Sequence, residues 1–340
     1  MRIIHILSSG ISGINGVTNV VTSLSSCQEK LGHLVRIIDI KTERSLPIIL
    51  NFNPDIVCFH GLYYFEFIAI AYRLQKNSIP YLIQFHGGAS SDNYQKHKLK
   101  KFIANHLIFN RFIRNASSVV YLNQGEYSKS IFKNVSKSFF FMPNGVEQRR
   151  DYNKSIHSKV NILFFSRIDI YGKGLDVLAD VIKEISNTDL ANTIMFSFFG
   201  HIYESSKHYF NQFHDIGNVK YYGTVYGEEK DKAFEESDIV ILPSRSEGMP
   251  LTVLEAFSYG RPVIITPETN MGEIVVSKNA GWVTRLTKDD LYRTIITAIR
   301  DYLNDIDGYR NRSHQCSYDY SWESIAKQSI IEYKSFVRHG

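Results

Sequence analysis

The chain has 340 residues, 44% hydrophobic and 21% charged, a balance that excludes a disordered or low-complexity protein and is more than one ordinary core can use, so two domains of roughly 150 residues are expected. No apolar run approaches the ~18 residues of a membrane-spanning helix. The formal net charge of +5 is uneven: residues 1–147 hold 16 Lys+Arg against 8 Asp+Glu and the remainder 23 against 26, which places an anionic partner on the first half.

The opening run Arg2–Leu7 reads as a strand, and lacks the length and cleavage site of a signal peptide. Gly10, Gly13 and Gly16 follow it and precede a helical stretch, Val17–Leu31. A glycine turn at a helix N-terminus lets backbone N–H groups approach phosphate. The three-and-three spacing is not the dinucleotide pattern G-x-G-x-x-G, and no Gly-Lys-Ser/Thr follows to make a Walker loop. Together with a missing acidic partner, that argues against a nicotinamide dehydrogenase. Strands are expected at Leu34–Ile40, Asp55–His60, Pro80–His86, Ser118–Leu122 and Ser138–Met142, with a helix at Phe65–Lys76. Strand and helix in alternation imply a parallel sheet with helices on both faces. His86 closes its strand and is followed by Gly87-Gly88. Imidazole there can bond to a sugar hydroxyl or a carbonyl.

Residues 93–125 contain no acidic residue. Lys96, Lys98, Lys100, Lys101, Arg111 and Arg114 interleave there with Leu99, Phe102, Ile103, Leu107, Ile108, Phe109, Phe112 and Ile113. Two readings stay open: a core helix with a solvated basic face, or a surface for anionic membrane. No stacking motif supports nucleic acid as the partner. Cys27, Cys58 and Cys316 are scattered, without disulfide or zinc spacing, and fit a reducing cytoplasm.

Pro143-Asn144-Gly145 breaks the alternation, and the polar stretch 147–158 is expected to be a linker between a domain at 1–146 and another at 159–319. The second half restarts with strands at Val160–Ser166, Thr193–Phe199, Val219–Tyr221, Asp238–Leu242, Pro262–Thr266 and Trp282–Arg285. Its helices are expected at Gly174–Ser186, Glu228–Glu236, Leu251–Tyr259 and Asp289–Leu303, and a terminal helical stretch runs over Trp322–Val337. Arg167 ends the first of these strands, and Lys173 precedes Gly174 at a helix start. A forked cation and a point cation around one loop suit a diphosphate. The run Ser244-Arg245-Ser246-Glu247-Gly248-Met249-Pro250-Leu251-Thr252-Val253-Leu254-Glu255 enters a helix whose backbone N–H groups, from Met249 to Thr252, suit phosphate. Glu247 and Glu255 beside a diphosphate imply sugar and ribose hydroxyls to bind. In doubly wound sheets ligands lie at the carboxyl ends of the strands, and with two domains the expected site is the cleft between them.

At these residues the chain resembles the retaining glycosyltransferases of family four, glycosyl transferases group 1, of the GT-B fold. The likeness rests on Glu247 and Glu255 eight positions apart within Glu-Gly-Met-Pro-Leu, on Arg167 with Lys173, on His86, on the turn at Gly16, and on Pro143-Asn144-Gly145-Val146. It departs from the family at Ser166-Arg167, where Gly-Arg is frequent, and at Gly248-Met249-Pro250, where Gly-Phe-Gly is frequent. The resemblance implies two Rossmann-like domains facing across a cleft, with the helix at 320–338 packing back on the first. Arg167 and Lys173 would bind the donor diphosphate, Glu247 and His86 the donor sugar, and Glu255 the ribose. Gly16 and the backbone of Met249, Pro250, Leu251 and Thr252 would hold phosphate and sugar oxygens, and Thr224 and Val225 would border the base. It further implies transfer from a UDP- or GDP-sugar to a glycan or polyprenyl-linked acceptor with retained anomeric configuration, in bacterial lipopolysaccharide or capsule synthesis. No metal or other cofactor is expected, and the implied location is cytoplasmic, peripheral on the inner face of the cell membrane. The alternatives are another GT-B enzyme, an epimerase or phosphorylase, and a non-catalytic accessory subunit.

Overall fold

A computed structural model describes residues 1–8, 16–42, 45–91, 98–149, 158–213 and 216–337. The chain divides into two units, residues 1–145 with 320–340, and residues 146–319.

The first unit holds β1 (Arg2–Leu7), β2 (Leu34–Asp39), β3 (Ile56–His60), β4 (Tyr81–Gln84), β5 (Ser118–Tyr121) and β6 (Phe139–Phe141) in a parallel sheet of order β2-β1-β3-β4-β5-β6. Strands β3, β4 and β5 are buried along their whole length, as expected of a parallel sheet covered on both faces. Alternate residues serve the two faces. Ile4, Ile6, Val57 and Phe59 join one apolar cluster, while Ile3, Ile56, Cys58, Leu82 and Val120 join another. The second cluster is closed by Ile325, Ala326, Ile330 and Tyr333 of the helix Trp322–Lys334, which also packs on the helix Gly16–Lys30. Ser321 caps this helix by accepting from the Ser324 N–H. A Cβ at Gly145 would run into the Trp322 ring, so the glycine of the Pro-Asn-Gly turn lets the terminal helix approach.

The second unit holds β7 (Val160–Phe165), β8 (Ile194–Phe199), β9 (Val219–Tyr221), β10 (Ile239–Leu242), β11 (Val263–Ile265) and β12 (Gly281–Val283), all parallel, in the order β12-β11-β10-β7-β8-β9. All the strands expected from the sequence are present with shifts of one or two residues at their ends. The fold class is the expected one, two doubly wound Rossmann-like units of the GT-B type.

Two local differences stand out. Gln148 and Arg149, expected in a linker, bond within the second unit: Gln148 Nε2 donates to the Ser317 carbonyl, and Arg149 Nη2 to Asp231 and the Tyr259 hydroxyl. The rest of that stretch, 150–157, lies outside the described residues. The helix Ile306–Tyr318 was not expected. Its buried face is largely polar, with Arg310, Ser313, His314 and Ser317, so it carries little apolar periodicity. Arg310 is fully buried, and its guanidinium meets the Asp238 carboxylate at 3.1 Å and the Tyr302 hydroxyl at 2.8 Å.

Candidate functional site

In the second unit the chain changes direction between β7 and β10. Its first strand, β7, has β8 on one side and β10 on the other, which is where ligands settle in such sheets. Both connections leaving the carboxyl ends of these strands carry the expected residues.

After β7, Arg167 is exposed, and its Nη1 donates to the Tyr203 hydroxyl at 2.8 Å. The loop then tightens. The Gly172 N–H bonds to Asp169 Oδ1 and the Lys173 N–H to the Asp169 carbonyl. Gly174 takes a left-handed φ of 66° at the start of the helix Leu175–Ser186, pressed against the Pro243 carbonyl where a Cβ has no room. This seats Lys173 at 8% exposure.

After β10, the Ser244–Pro250 turn brings Glu247 to Lys173: Nζ to Oε1 is 2.5 Å, and Ser244 Oγ donates to the same oxygen at 2.7 Å. Lys173 and Glu247, expected to serve the diphosphate and the sugar separately, form one ion pair. An ammonium has three protons, so two of Lys173 remain for a ligand. The helix Leu251–Ser258 has the extended Pro250 as its N-cap, without a side-chain cap. The expected row of donors from Met249 to Thr252 needs correction. Pro250 has no N–H, and Met249 is buried at 5% exposure. The Val253 N–H is turned back on the Pro250 carbonyl. Leu251 and Thr252 keep their first-turn N–H groups. The Thr252 hydroxyl donates to the Phe165 carbonyl at 2.8 Å, which ties the helix start to the end of β7.

Glu255 accepts from Lys230 Nζ at 2.9 Å. Thr224, exposed, and Val225, half-buried, lie in the loop between β9 and the helix Glu228–Glu235 that carries Lys230. Arg167, Lys173, Glu247, Leu251 and Thr252 are therefore gathered on the β7 and β10 connections, and Glu255 is reached from the β9 connection through Lys230.

In the first unit, Gly16 is exposed at the start of its helix, and Gly10 and Gly13 lie outside the described residues. His86 has a left-handed φ of 50°, uncommon for a residue with a side chain and a frequent mark of functional sites. Its Nε2 lies 2.9 Å from His60 Nδ1, and His60 Nε2 lies 2.8 Å from His5 Nδ1. His5 Nε2 lies 2.9 Å from Gln28 Oε1, and Gln28 Nε2 donates to Ser329 Oγ at 2.9 Å. Burial lowers all three imidazoles, His5 to about 4 and His86 to about 3, so they are neutral near pH 7. His5, Cys58 and His60 are the grouping of metal-ligand types among the described residues. Both nitrogens of His5 and of His60 are already engaged in the chain, so this donor set does not suit an ion. Glu126 braces the His86 turn, accepting from the Gly87 N–H at 2.5 Å and the Leu122 N–H at 2.6 Å.

Residues 159–305 match the family described as Glycosyl transferases group 1. The match lies wholly within the second unit. A protein of the cps region of Klebsiella pneumoniae, itself uncharacterized, is 35% identical over 123 residues, 36% of this chain and 32% of that one. An uncharacterized glycosyltransferase of Methanocaldococcus jannaschii is 25% identical over 215 residues, 61% of this chain and 53% of that one. The chain thus spans about a third to a half of these relatives. In three dimensions it is similar to HepE of Anabaena, solved with UDP-glucose, with a TM-score of 0.73 at 16% identity, covering 98% of this chain and 100% of that one.

Three residues of the second unit carry roles that no local sequence pattern marks. Arg245 forks onto Asp176 at 2.7 Å through both nitrogens and lies 4.0 Å over the Tyr171 ring, clamping the β10 turn to the Lys173 loop. Asn270 Nδ2 donates to the Glu247 carbonyl at 2.6 Å and fixes the turn that presents Glu247. Lys230 partners Glu255. Each works through a partner from 23 to 74 residues away, and no local spacing marks such pairs.

Proposed function

We propose that this chain is a glycosyltransferase that moves a sugar from a UDP- or GDP-sugar to a hydroxyl of a glycan or lipid-linked saccharide, with retention, in surface polysaccharide synthesis. The observation that carries this is the Lys173–Glu247 pair, with Arg167 on the same connection after β7 and the uncapped helix start at Leu251, inside a region that matches the group 1 family. Arg167, the two remaining protons of Lys173, and the N–H groups of Leu251 and Thr252 bind the diphosphate. As the glycosidic bond breaks, negative charge grows on the departing phosphate, and donors fixed in advance act where that charge appears. A departing phosphate oxygen takes the acceptor proton, so no protein base is needed. Glu247, neutralised by Lys173, is a hydrogen-bond acceptor for sugar hydroxyls rather than a nucleophile, and Glu255 accepts from the ribose. The UDP-glucose held by HepE and the cps-region relative support the donor and pathway class.

A thermal-shift screen of UDP-, GDP- and CMP-sugars tests this reading. One UDP- or GDP-sugar is expected to stabilise the protein and to be slowly hydrolysed, and transfer with it is expected to persist in excess EDTA. Stabilisation without turnover toward any hydroxyl acceptor would favour a non-catalytic subunit, and complete loss in EDTA would oppose metal-independent transfer.

The basic stretch supports a membrane-facing acceptor. Lys96 lies outside the described residues, as do the side chains of Lys98 and Lys100. Of the apolar set, Phe109, Phe112 and Ile113 enter the core, while Phe102, Ile103 and Leu107 are exposed at 54%, 50% and 73% among exposed Arg111 and Arg114. Exposed apolar side chains flanked by cations suit an anionic bilayer surface, at about 1 kcal/mol for each basic residue near it. No described helix is long and apolar enough to cross a membrane. Flotation with vesicles containing phosphatidylserine, but not with phosphatidylcholine alone, is expected. Equal recovery with both would assign the stretch to a solvated face.

A further inference from the structure

We infer that a relay of side chains running from Ser329 of the terminal helix through Gln28, His5 and His60 to His86 fixes the tautomer of His86, so that His86 presents Nδ1 as a hydrogen-bond acceptor. The polarity is set at the far end. Ser329 Oγ donates its proton to the Ala326 carbonyl at 2.7 Å, so toward Gln28 it accepts. The Tyr333 hydroxyl donates to Cys58 Sγ at 3.7 Å and also bonds the Gln28 side chain through its oxygen. The Gln28 amide therefore points its N–H groups at the terminal helix and its oxygen at His5.

The rest follows ring by ring, because a neutral imidazole has one donor and one acceptor nitrogen. An amide oxygen accepts, so His5 must donate from Nε2, which leaves its Nδ1 bare. His60 must then donate from Nε2 to His5 Nδ1, and its own Nδ1 is bare. His86 must donate from Nε2 to His60 Nδ1. Burial of all three rings opposes a cation anywhere in the series, which keeps each imidazole to one donor and one acceptor. His86, half-buried at the left-handed turn after β4, is left with an unprotonated Nδ1. A nitrogen of that kind selects a ligand that donates, such as a hydroxyl, over a carbonyl or a phosphate oxygen. In the sugar-transfer reading the donating group is a sugar hydroxyl. That last step rests on the reading, whereas the tautomer does not. Gln28, His5, His60 and Ser329 are positioning residues in this scheme, acting through His86.

The imidazole 15N spectrum of the full chain, ligand-free at pH 7, tests the relay directly, since long-range proton–nitrogen correlations separate the two tautomers. His5, His60 and His86 are all expected to be protonated on Nε2 alone. An Nδ1–H form at any of the three overturns the relay. In Gln28→Leu the directing amide is gone, and His86 is expected to become a mixture of both tautomers. A folded variant in which His86 stays wholly in the Nε2–H form also overturns it, and if that variant fails to fold the wild-type spectrum still decides. Titration with a nucleotide sugar that stabilises the protein is expected to shift His86 Nδ1 while it remains unprotonated. No shift would overturn the hydroxyl contact and leave the relay standing.

Discussion

Arg167→Ala is expected to lower transfer about 10²–10³-fold, the usual effect of deleting one fixed donor to a developing negative charge. Among the cations of the site Arg167 gives the cleanest result. Its side chain is exposed and meets the hydroxyl and ring of Tyr203, so its removal leaves no buried group orphaned. Unfolding midpoints should therefore match the parent, and the loss should fall on kcat, because the interaction strengthens as the phosphate departs. Near-normal turnover would sink the assignment. Lys173→Ala is a poorer test of chemistry. It strands the Glu247 carboxylate, 15% exposed, without its cation, and stability and activity would fall together. Tyr203→Phe removes the hydroxyl that holds Arg167 in place, and should cost less than Arg167→Ala while moving kcat in the same direction.

Acidification from pH 7 to 5 is expected to destabilise the first unit, by about 2 kcal/mol through His5 alone. The sign follows from where protons bind. The unfolded chain protonates His5 near its ordinary 6.5, while the folded site holds out to about 4 because burial disfavours the cation. Between those values the unfolded state carries more protons, so stability present above pH 6.5 is lost as the pH falls. His60 and His86 are lowered for the same reason and add to the loss. Burial raises the Glu126 carboxyl, so the folded state takes up a proton there before the unfolded chain does, which works in the opposite sense and offsets part of the loss. Urea unfolding measured at half-unit steps from pH 7 to 5 reads the effect above most carboxylate titration. An unchanged midpoint over that range would contradict the burial of the three rings.

The strands were legible in the sequence because a parallel sheet covered on both faces writes each strand as an unbroken apolar run, such as Ile56–His60 or Ile239–Leu242. The glutamates, Arg167 and Lys173 were legible because their motif lies at strand ends and a helix start. The helix Ile306–Tyr318 was not, since it buries Arg310 and His314 where apolar residues would have marked it. Nor was the histidine series. His5 and His60 sit inside strands on the same face as Cys58, and only the β1–β3–β4 pairing brings them together. Asn270, Arg245 and Lys230 are invisible for a related reason, since each is defined by a partner distant in the chain.

The return of residues 320–337 to the first unit has a consequence for synthesis. The apolar face of β1, β3, β4 and β5 is closed by Ile325, Ala326, Ile330 and Tyr333, which emerge from the ribosome only after the whole second unit. While the second unit can fold as soon as its own residues are out, the first must wait with that face uncovered, in the interval when exposed apolar surface invites misassembly. Ribosome-bound nascent chains paused after residue 319 should accordingly be more readily cut by protease within residues 1–145 than within the second unit, and the difference should vanish once the terminal helix has emerged.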